Sequence, residues 1–177
     1  HDTDGCQDSG EDDDDDADGI TDASDSCQAG DMGWVPDTLT DHDSDGCQDS
    51  GEDDDDDGDG IPDASDACQK GDLDWTSDSE TDVDSDGCQD ADEDQDDDDD
   101  GLNDDNDLCS RGETGWSPDS FNDHDLDGCM DSSEDIDDDN DGIEDTEDGC
   151  TPGETGWIST QETDHDGDGC KDSTEDE

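Results

Sequence analysis

An aspartate-rich segment of 41 residues recurs along this chain and constrains its fold more than any other feature. The tryptophans and one set of glycines keep this interval: Trp34, Trp75, Trp116 and Trp157, and Gly30, Gly71, Gly112 and Gly153. The nine cysteines alternate between intervals of 21 and 20 residues. A fixed period is typical of linear repeat proteins, in which each unit contacts mainly its neighbours. We therefore predict repeats at 1–41, 42–82, 83–123 and 124–164, followed by a partial fifth repeat at 165–177.

The acidity of the chain excludes a conventional hydrophobic core and several kinds of partner. Of 177 residues, 71 are Asp or Glu and 3 are Lys or Arg, which gives a formal net charge of −68. Only 19% of the residues are hydrophobic, a composition that by itself is typical of disordered acidic polymers. We predict no nucleic-acid partner, because phosphate backbones are bound by Lys and Arg. We also predict no membrane insertion, because the chain lacks an apolar run of the roughly 18 residues required.

Each repeat contains two twelve-residue loops with the spacing of a calcium-binding loop. Residues 41–52 read D-x-D-x-D-G-x-x-D-x-x-E, and residues 55–66 follow the same pattern with Asp at position 12. Carboxylates at positions 1, 3 and 5 can turn inward around one ion, and glycine at position 6 permits a sharp bend. The position 7 carbonyl adds an oxygen, position 9 often acts through water, and position 12 closes the shell. Oxygen ligands in a flexible loop favour Ca2+ over zinc, copper or magnesium.

We name the loop with cysteine at position 7 loop A, and the loop with Ile or Leu at that position loop B. The predicted ligands are the side chains at positions 1, 3, 5, 9 and 12 and the main-chain carbonyl at position 7. In the A loops they are Asp2, Asp4, Cys6, Asp8 and Glu11; Asp41, Asp43, Asp45, Cys47, Asp49 and Glu52; Asp82, Asp84, Asp86, Cys88, Asp90 and Glu93; Asp123, Asp125, Asp127, Cys129, Asp131 and Glu134; and Asp164, Asp166, Asp168, Cys170, Asp172 and Glu175. In the B loops they are Asp14, Asp16, Asp18, Ile20, Asp22 and Asp25; Asp55, Asp57, Asp59, Ile61, Asp63 and Asp66; Asp96, Asp98, Asp100, Leu102, Asp104 and Asp107; and Asp137, Asp139, Asp141, Ile143, Asp145 and Asp148.

Two features of these loops extend the prediction. Further acids lie between them, such as Asp53, Asp54 and Asp56, and these either bridge to neighbouring ions or face solvent. We therefore expect about two or more Ca2+ ions per repeat. The first A loop lacks its position 1 residue and the last repeat stops after its A loop, so we expect the sequence to be a window of a longer array.

The chain resembles thrombospondin type 3 repeats along its whole length. The resemblance is carried by stretches such as residues 137–145, D-D-D-N-D-G-I-E-D, followed by Asp148, Gly149 and Cys150. It implies tandem aspartate-rich loops that wrap calcium ions, little regular secondary structure, and disulfides that tie the array together. The loops are also similar to those of EF-hands and dockerins, although no amphipathic helices flank them. The expected fold class is thus an irregular, metal-stabilised linear repeat array.

The regular cysteines predict disulfides in an oxidising compartment, and two pairings fit the period. One pairs cysteines within a repeat, starting with Cys6 and Cys27. The other crosses the linker between loop B and the next loop A, and it is favoured because the linker can fold back whereas a metal loop is rigid. Its members are Cys27–Cys47, Cys68–Cys88, Cys109–Cys129 and Cys150–Cys170.

The tryptophans and histidines have two interpretations each. Each tryptophan lies seven residues after a cysteine, and either forms a miniature core over the disulfide near the position 7 side chain or presents a surface for a glycan or protein. The histidines occupy position 2 of loop A, which points away from the ion. They are therefore solvated or pack on a neighbouring unit rather than bind metal.

Enzymatic function is not predicted, because the carboxylates are committed to metal and almost no cations remain to stabilise an oxyanion. We expect a rigid extracellular or cell-surface stalk, spacer or fibre with Ca2+ as cofactor. One form of it would be a filament assembled from copies of this chain. Two alternatives remain open. One is an extracellular calcium reservoir or mineral-nucleating polyanion, and the other is an adhesive module that uses the tryptophan linkers. Extracellular calcium, which is millimolar, would fill even modest sites of this kind.

Overall fold

The structure is a computed structural model, which describes residues 12–176 and has neither a helix nor a strand within that range. The backbone there consists of turns and bends, which confirms the predicted irregular architecture. The described residues form no helix, so they contain no helix that is long and apolar enough to cross a membrane. The predicted ligands Asp2, Asp4, Cys6, Asp8 and Glu11 lie outside the described residues.

Each loop is closed by hydrogen bonds between its own aspartates and its own backbone. In the loop at 55–66, the amide of Asp56 donates to Asp63 Oδ1 over 3.0 Å, and the amide of Asp63 donates to the Asp54 carbonyl over 2.9 Å. The amide of Ile61 donates to Asp59 Oδ1 over 2.6 Å. Short polar side chains that bond to nearby amides favour turns over helices and strands. The aspartates that define the loop sequence therefore also shape its backbone.

The glycine at position 6 adopts the left-handed conformation that the sharp bend requires. Gly46 has φ of 95° and Gly60 has φ of 100°, values that glycine tolerates at little cost because it has no Cβ. Position 4 also turns to positive φ, as at Ser44 (66°) and Asn140 (55°). The chain thus reverses between positions 3 and 6, which lets the carboxylates at positions 1, 3 and 5 face one another.

Loop B packs against the loop A that follows it, and a disulfide joins the two. Cys68 and Cys88 are bonded with their Cα atoms 5.1 Å apart, and beside them the amide of Ala67 donates to the Asp86 carbonyl over 2.7 Å. The other disulfides have the same place and the same 20-residue separation: Cys27–Cys47, Cys109–Cys129 and Cys150–Cys170. The structure therefore has the pairing across the linker. We call each loop B with its linker and the following loop A a B–A module, at residues 14–52, 55–93, 96–134 and 137–175.

The chain divides into two compact units, the first ending at Asp94 and the second beginning at Gln95. Each unit contains two B–A modules. The division falls inside the repeat at 83–123, between its A loop and its B loop, so compact units and sequence repeats are out of phase. The physical reason is the disulfide, which joins each B loop to the A loop of the following repeat.

The interior of the described chain is made of carboxylates rather than hydrocarbon. The buried apolar residues are Cys47, Cys88, Cys129, Cys170 and Trp157. The largest fully buried side chains are nine aspartates: Asp16, Asp41, Asp59, Asp82, Asp98, Asp100, Asp123, Asp139 and Asp141. By contrast, Phe121 is 93% exposed and Leu39 is 81% exposed. This inverts the usual order of burial, in which Asp is almost never fully buried unless it is paired.

Candidate metal centres

The carboxylates at positions 1, 3 and 5 converge in the loops. In the loop at 55–66, one oxygen of each of Asp55, Asp57 and Asp59 lies within 4.8 Å of the others. The same holds for Asp14, Asp16 and Asp18; Asp41, Asp43 and Asp45; and Asp82, Asp84 and Asp86. These groups can hold a metal ion, because carboxylate oxygens are the ligands that hard divalent cations prefer.

In the loop at 55–66, the backbone bonds one oxygen of the carboxylates at positions 1, 5 and 12 and leaves the other without a partner. Asp55 Oδ2 accepts the Gly60 amide over 3.2 Å, Asp59 Oδ1 accepts the Ile61 amide, and Asp66 Oδ1 accepts the Cys68 amide over 2.6 Å. The second oxygens, Asp55 Oδ1, Asp59 Oδ2 and Asp66 Oδ2, are buried and have no hydrogen-bond partner. Buried acceptors without partners are costly in native proteins. The arrangement fits a cation, which would satisfy oxygens that the backbone leaves without partners.

The same orphaned oxygens recur in other loops of the described chain. They include Oδ2 at position 5 in Asp18, Asp100 and Asp141, and Oδ2 at position 12 in Asp107. In an A loop, Asp41 Oδ2 at position 1 is also buried without a partner. The recurrence shows that the unsatisfied acceptors belong to the repeat itself and not to one irregular loop.

Burial and like charge raise the pKa of several loop aspartates. Burial, and after it the charge of Asp86, raises the pKa of Asp84 to about 7. Burial and the charge of Asp45 raise the pKa of Asp43 to about 6. At position 12 of a B loop, burial and neighbouring aspartates raise the pKa of Asp66 to about 6. These carboxylates are therefore costly to ionise in the folded chain, and a bound divalent cation would reverse that cost.

Positions 9 and 12 are placed differently from positions 1, 3 and 5. At position 9, Asp49 Oδ1 accepts the amide of His42 over 3.0 Å, so one of its oxygens closes the loop. At position 12 of loop A, Glu52 accepts hydrogen bonds from the amides of Asp31 and Gln48 and lies against the linker. Its charge contributes to the raised pKa of Asp18, which belongs to the preceding B loop. This glutamate therefore lies between the two loops of its B–A module.

A linker glycine connects consecutive modules. The Gly71 amide donates to Asp57 Oδ2 over 2.8 Å, and the Gly71 carbonyl lies 3.0 Å from His42 Nε2. Gly153 makes the same two contacts with Asp139 (2.7 Å) and His124 (2.8 Å). The histidines at 42 and 124 thus pack on a neighbouring linker. The partner of each histidine could not be predicted from the local spacing, because it lies 29 residues away in the sequence.

The tryptophans lie beside the acidic loops. Trp75 lines a cavity of about 350 Å³ together with Asp43 and Asp57, which occupy position 3 of an A loop and a B loop. Trp157 is 9% exposed, and Lys171 Nζ lies 5.7 Å from the centre of its ring. The indole nitrogens of Trp34, Trp75, Trp116 and Trp157 are buried and have no hydrogen-bond partner. The indole ring of Trp75 is therefore close enough to the candidate centres to report on their occupancy.

The basic residues contact the acidic loops, which the spacing of the aspartates does not predict. Lys70 bonds Asp49 and lies 3.3 Å from Asp56, and Arg111 lies 3.9 Å from Asp97. Their positions carry a signal for these contacts: the chain has only 3 Lys and Arg residues, and two of them, Lys70 and Arg111, occupy the same position in consecutive repeats.

No protein-family model and no curated protein sequence matches this chain.

Proposed function

We propose that this chain is a calcium-binding structural repeat protein that forms a rigid extracellular stalk, spacer or fibre. The observation that carries the proposal is the set of buried aspartates whose second oxygen has no partner, such as Asp59, Asp100 and Asp141. A protein of this size normally buries hydrocarbon, and here carboxylates occupy that place. Ions bound to these oxygens would stabilise the fold in place of a hydrophobic core.

Calcium is the ion best supported by the donor set. The converging groups offer carboxylate oxygens and no nitrogen or sulfur, and all eight cysteines from Cys27 onward are in disulfides. This disfavours zinc and copper, which prefer imidazole and thiolate. Magnesium requires a strict octahedron and retains its waters, whereas calcium accepts the variable geometry of a flexible loop.

The covalent framework and the candidate ion sites together support an extracellular structural role. Four disulfides are typical of an oxidising environment, and each closes one B–A module at the same place. Gly71 and Gly153 then connect one module to the next through a loop aspartate and a histidine. A calcium reservoir would not need this fixed register, so we rank a rigid spacer above a reservoir.

Electron microscopy of recombinant arrays with different numbers of repeats tests this proposal. We expect particles whose length rises in proportion to repeat number in millimolar calcium and which lose a defined contour in a chelator. A calcium-loaded chain without a defined contour would instead support the reservoir. The 177-residue chain with all four tryptophans replaced, as Trp34→Phe, Trp75→Phe, Trp116→Phe and Trp157→Phe, would serve as the control for an adhesive role of the linkers.

Calcium uptake is expected to weaken as the solution is acidified from about pH 8 to about pH 5. The pKa of Asp84 is raised to about 7 and those of Asp43 and Asp125 to about 6, chiefly by burial. Each carboxylate must therefore lose a proton within this range before it can bind an ion. Calcium-electrode titrations at constant ionic strength should show falling affinity, with protons released on calcium addition near pH 6.

The same pKa values predict how pH changes the folding stability of the metal-free chain. Their folded-state values lie above the ordinary value near 3.9, so their contribution to folding is complete below about pH 4 and is lost as the pH rises through 6 to 7. Acid should therefore favour compaction of the metal-free chain while it opposes calcium uptake. Calcium affinity that is constant between about pH 5 and pH 8 would contradict the assignment of these aspartates as ligands.

A further inference from the structure

A third acidic cluster lies between the two loops of a repeat. In the repeat at 42–82 it consists of Asp49, Asp53 and Asp56, with one oxygen of each within 4.8 Å of the others. These residues are position 9 of loop A, the first residue after that loop, and position 2 of loop B. The cluster is therefore distinct from the groups at positions 1, 3 and 5 of either loop.

A basic side chain occupies this cluster in the repeat at 42–82. Lys70 Nζ bonds Asp49 Oδ2 and lies 3.3 Å from Asp56 Oδ2. The side chains of Asp49 and Asp56 are only 4% and 7% exposed, whereas that of Lys70 is 43% exposed. Two nearly buried carboxylates thus receive one ammonium from the surface. The cluster is a place where this fold accepts a positive charge.

The repeat at 124–164 has Asp131, Asp135 and Asp138 at the equivalent positions, and its backbone bonds them through the same contacts. The amide of His124 holds Asp131 Oδ1 over 2.9 Å, as the amide of His42 holds Asp49 Oδ1 over 3.0 Å. The amide of Asp137 holds Asp135 Oδ1 over 2.9 Å, as the amide of Asp55 holds Asp53 Oδ1 over 3.1 Å. The amides of Asp138 and Asp56 each donate to the position 9 aspartate of loop B over 3.0 Å.

The same oxygens are left without partners in both repeats. Asp53 Oδ2 and Asp56 Oδ1 are buried and have no hydrogen-bond partner, and so are their counterparts Asp135 Oδ2 and Asp138 Oδ1. Asp138 as a whole is 9% exposed. A nearly buried carboxylate with an unsatisfied oxygen, beside two further aspartates, is costly unless a positive charge lies close to it.

The repeat at 124–164 contains no Lys or Arg to supply that positive charge, and the ring of His124 bonds the Gly153 carbonyl instead. The residue at the place of Lys70 is Pro152. The remaining lysine in that part of the chain, Lys171, bonds Glu154 over 3.0 Å and lies over Trp157. In the intervening repeat Arg111 stands at the place of Lys70, 3.9 Å from Asp97, the counterpart of Asp56.

We propose that the third cluster is a cation site whose occupant depends on the repeat: a divalent metal ion at Asp131, Asp135 and Asp138, and the ammonium of Lys70 at Asp49, Asp53 and Asp56. Three carboxylates and no nitrogen or sulfur favour a hard ion, so calcium is the expected metal. The number of ions per repeat then varies along the array, and a single residue in the linker sets it. This inference rests on the proposed calcium binding of the A and B loops.

Native mass spectrometry of the full chain in calcium tests the proposal, because it resolves single ions. Lys70→Ala should bind one ion more than the wild type, since the vacated carboxylates would then hold calcium. Asp135→Asn should bind one ion fewer, while its Oδ1 can still accept the Asp137 amide. Lys171→Ala is the matched control, because it removes a lysine from outside the cluster and should leave the count unchanged.

The outcomes separate this inference from the proposed function. Equal ion counts for wild type, Lys70→Ala and Asp135→Asn, in a chain that otherwise fills its A and B loops, would overturn the third site and leave the proposed function intact. A gain for Lys171→Ala as large as that for Lys70→Ala would also overturn it, since the effect would then be one of net charge. A wild-type chain that binds no calcium would refute the proposed function itself.

Discussion

Removal of calcium is expected to convert the folded chain into an expanded, protease-sensitive polyanion. Among the residues that the structure describes, the largest fully buried side chains are aspartates, including Asp41, Asp59 and Asp141, and the buried apolar groups are four disulfide cysteines and Trp157. Without cations, the like charges of Asp84 and Asp86 or of Asp43 and Asp45 oppose each other at short range. Hydrophobic burial cannot offset the entropy of ordering such a chain. Binding and folding should therefore be one process.

Small-angle scattering with and without chelator measures the expansion of the chain. The radius of gyration should rise toward the roughly 45 Å expected of an unfolded chain of this length, less the shortening imposed by four closed disulfide loops. Trypsin is uninformative with so few basic residues, so a protease that cleaves at aspartate or glutamate should follow the loss of protection.

Two controls separate calcium binding from general charge screening. Calcium added back in excess of chelator should restore compaction, whereas sodium chloride at matched ionic strength should not, because screening does not satisfy a buried oxygen. A chain that remains compact and resistant to proteolysis in chelator would show that the carboxylate interior is stable without ions.

The local geometry of the candidate centres was predictable from spacing, because it depends on residues close together in sequence. Asp55, Asp57 and Asp59 occur at every second residue of one turn, and Gly60 at position 6 of the loop permits the reversal that brings them together. The irregular fold was predictable for a related reason. Aspartate side chains bond neighbouring amides, and these bonds compete with helices and strands.

Contacts between loops were not predictable from the same spacing. Glu52 was assigned to its own loop A, yet its carboxylate accepts the amide of Asp31, 21 residues earlier. His42 and Gly71 are 29 residues apart, and Lys70 meets Asp49 over 21 residues. These contacts depend on how the linker folds back over the loops. That path is fixed by the disulfide and by the tertiary arrangement, neither of which the twelve-residue pattern encodes.

Loss of one disulfide is expected to weaken calcium binding in its own B–A module and to leave distant modules unaffected. Cys68–Cys88 closes a loop across a sequence separation of 20 residues and sits where Ala67 bonds Asp86. Opening a loop of this length releases conformational entropy in the unfolded state worth about 3 kcal/mol. Since folding and ion binding are coupled, this loss should appear as a roughly hundredfold decrease in the affinity with which the module at 55–93 binds its ions.

Terbium luminescence in a chain with one tryptophan measures the ion affinity of a single module. Trp75 lies in the linker of the same module and lines a cavity with Asp43 and Asp57, so it should sensitise an ion in these loops. Trp34→Phe, Trp116→Phe and Trp157→Phe would leave Trp75 as the sole sensitiser. Cys68→Ser with Cys88→Ser should then shift the terbium midpoint to higher concentration.

The matched control removes the equivalent disulfide from the other compact unit in the same single-tryptophan background. Cys150→Ser with Cys170→Ser deletes the same number of sulfurs and closes the same loop length, but it lies in the module at 137–175. It should leave the Trp75 signal unchanged if each module folds around its own ions. Equal shifts from both double variants would instead mean that the array folds as one cooperative body. No shift from either would mean that the ions alone, without the disulfides, fix the geometry of the loops.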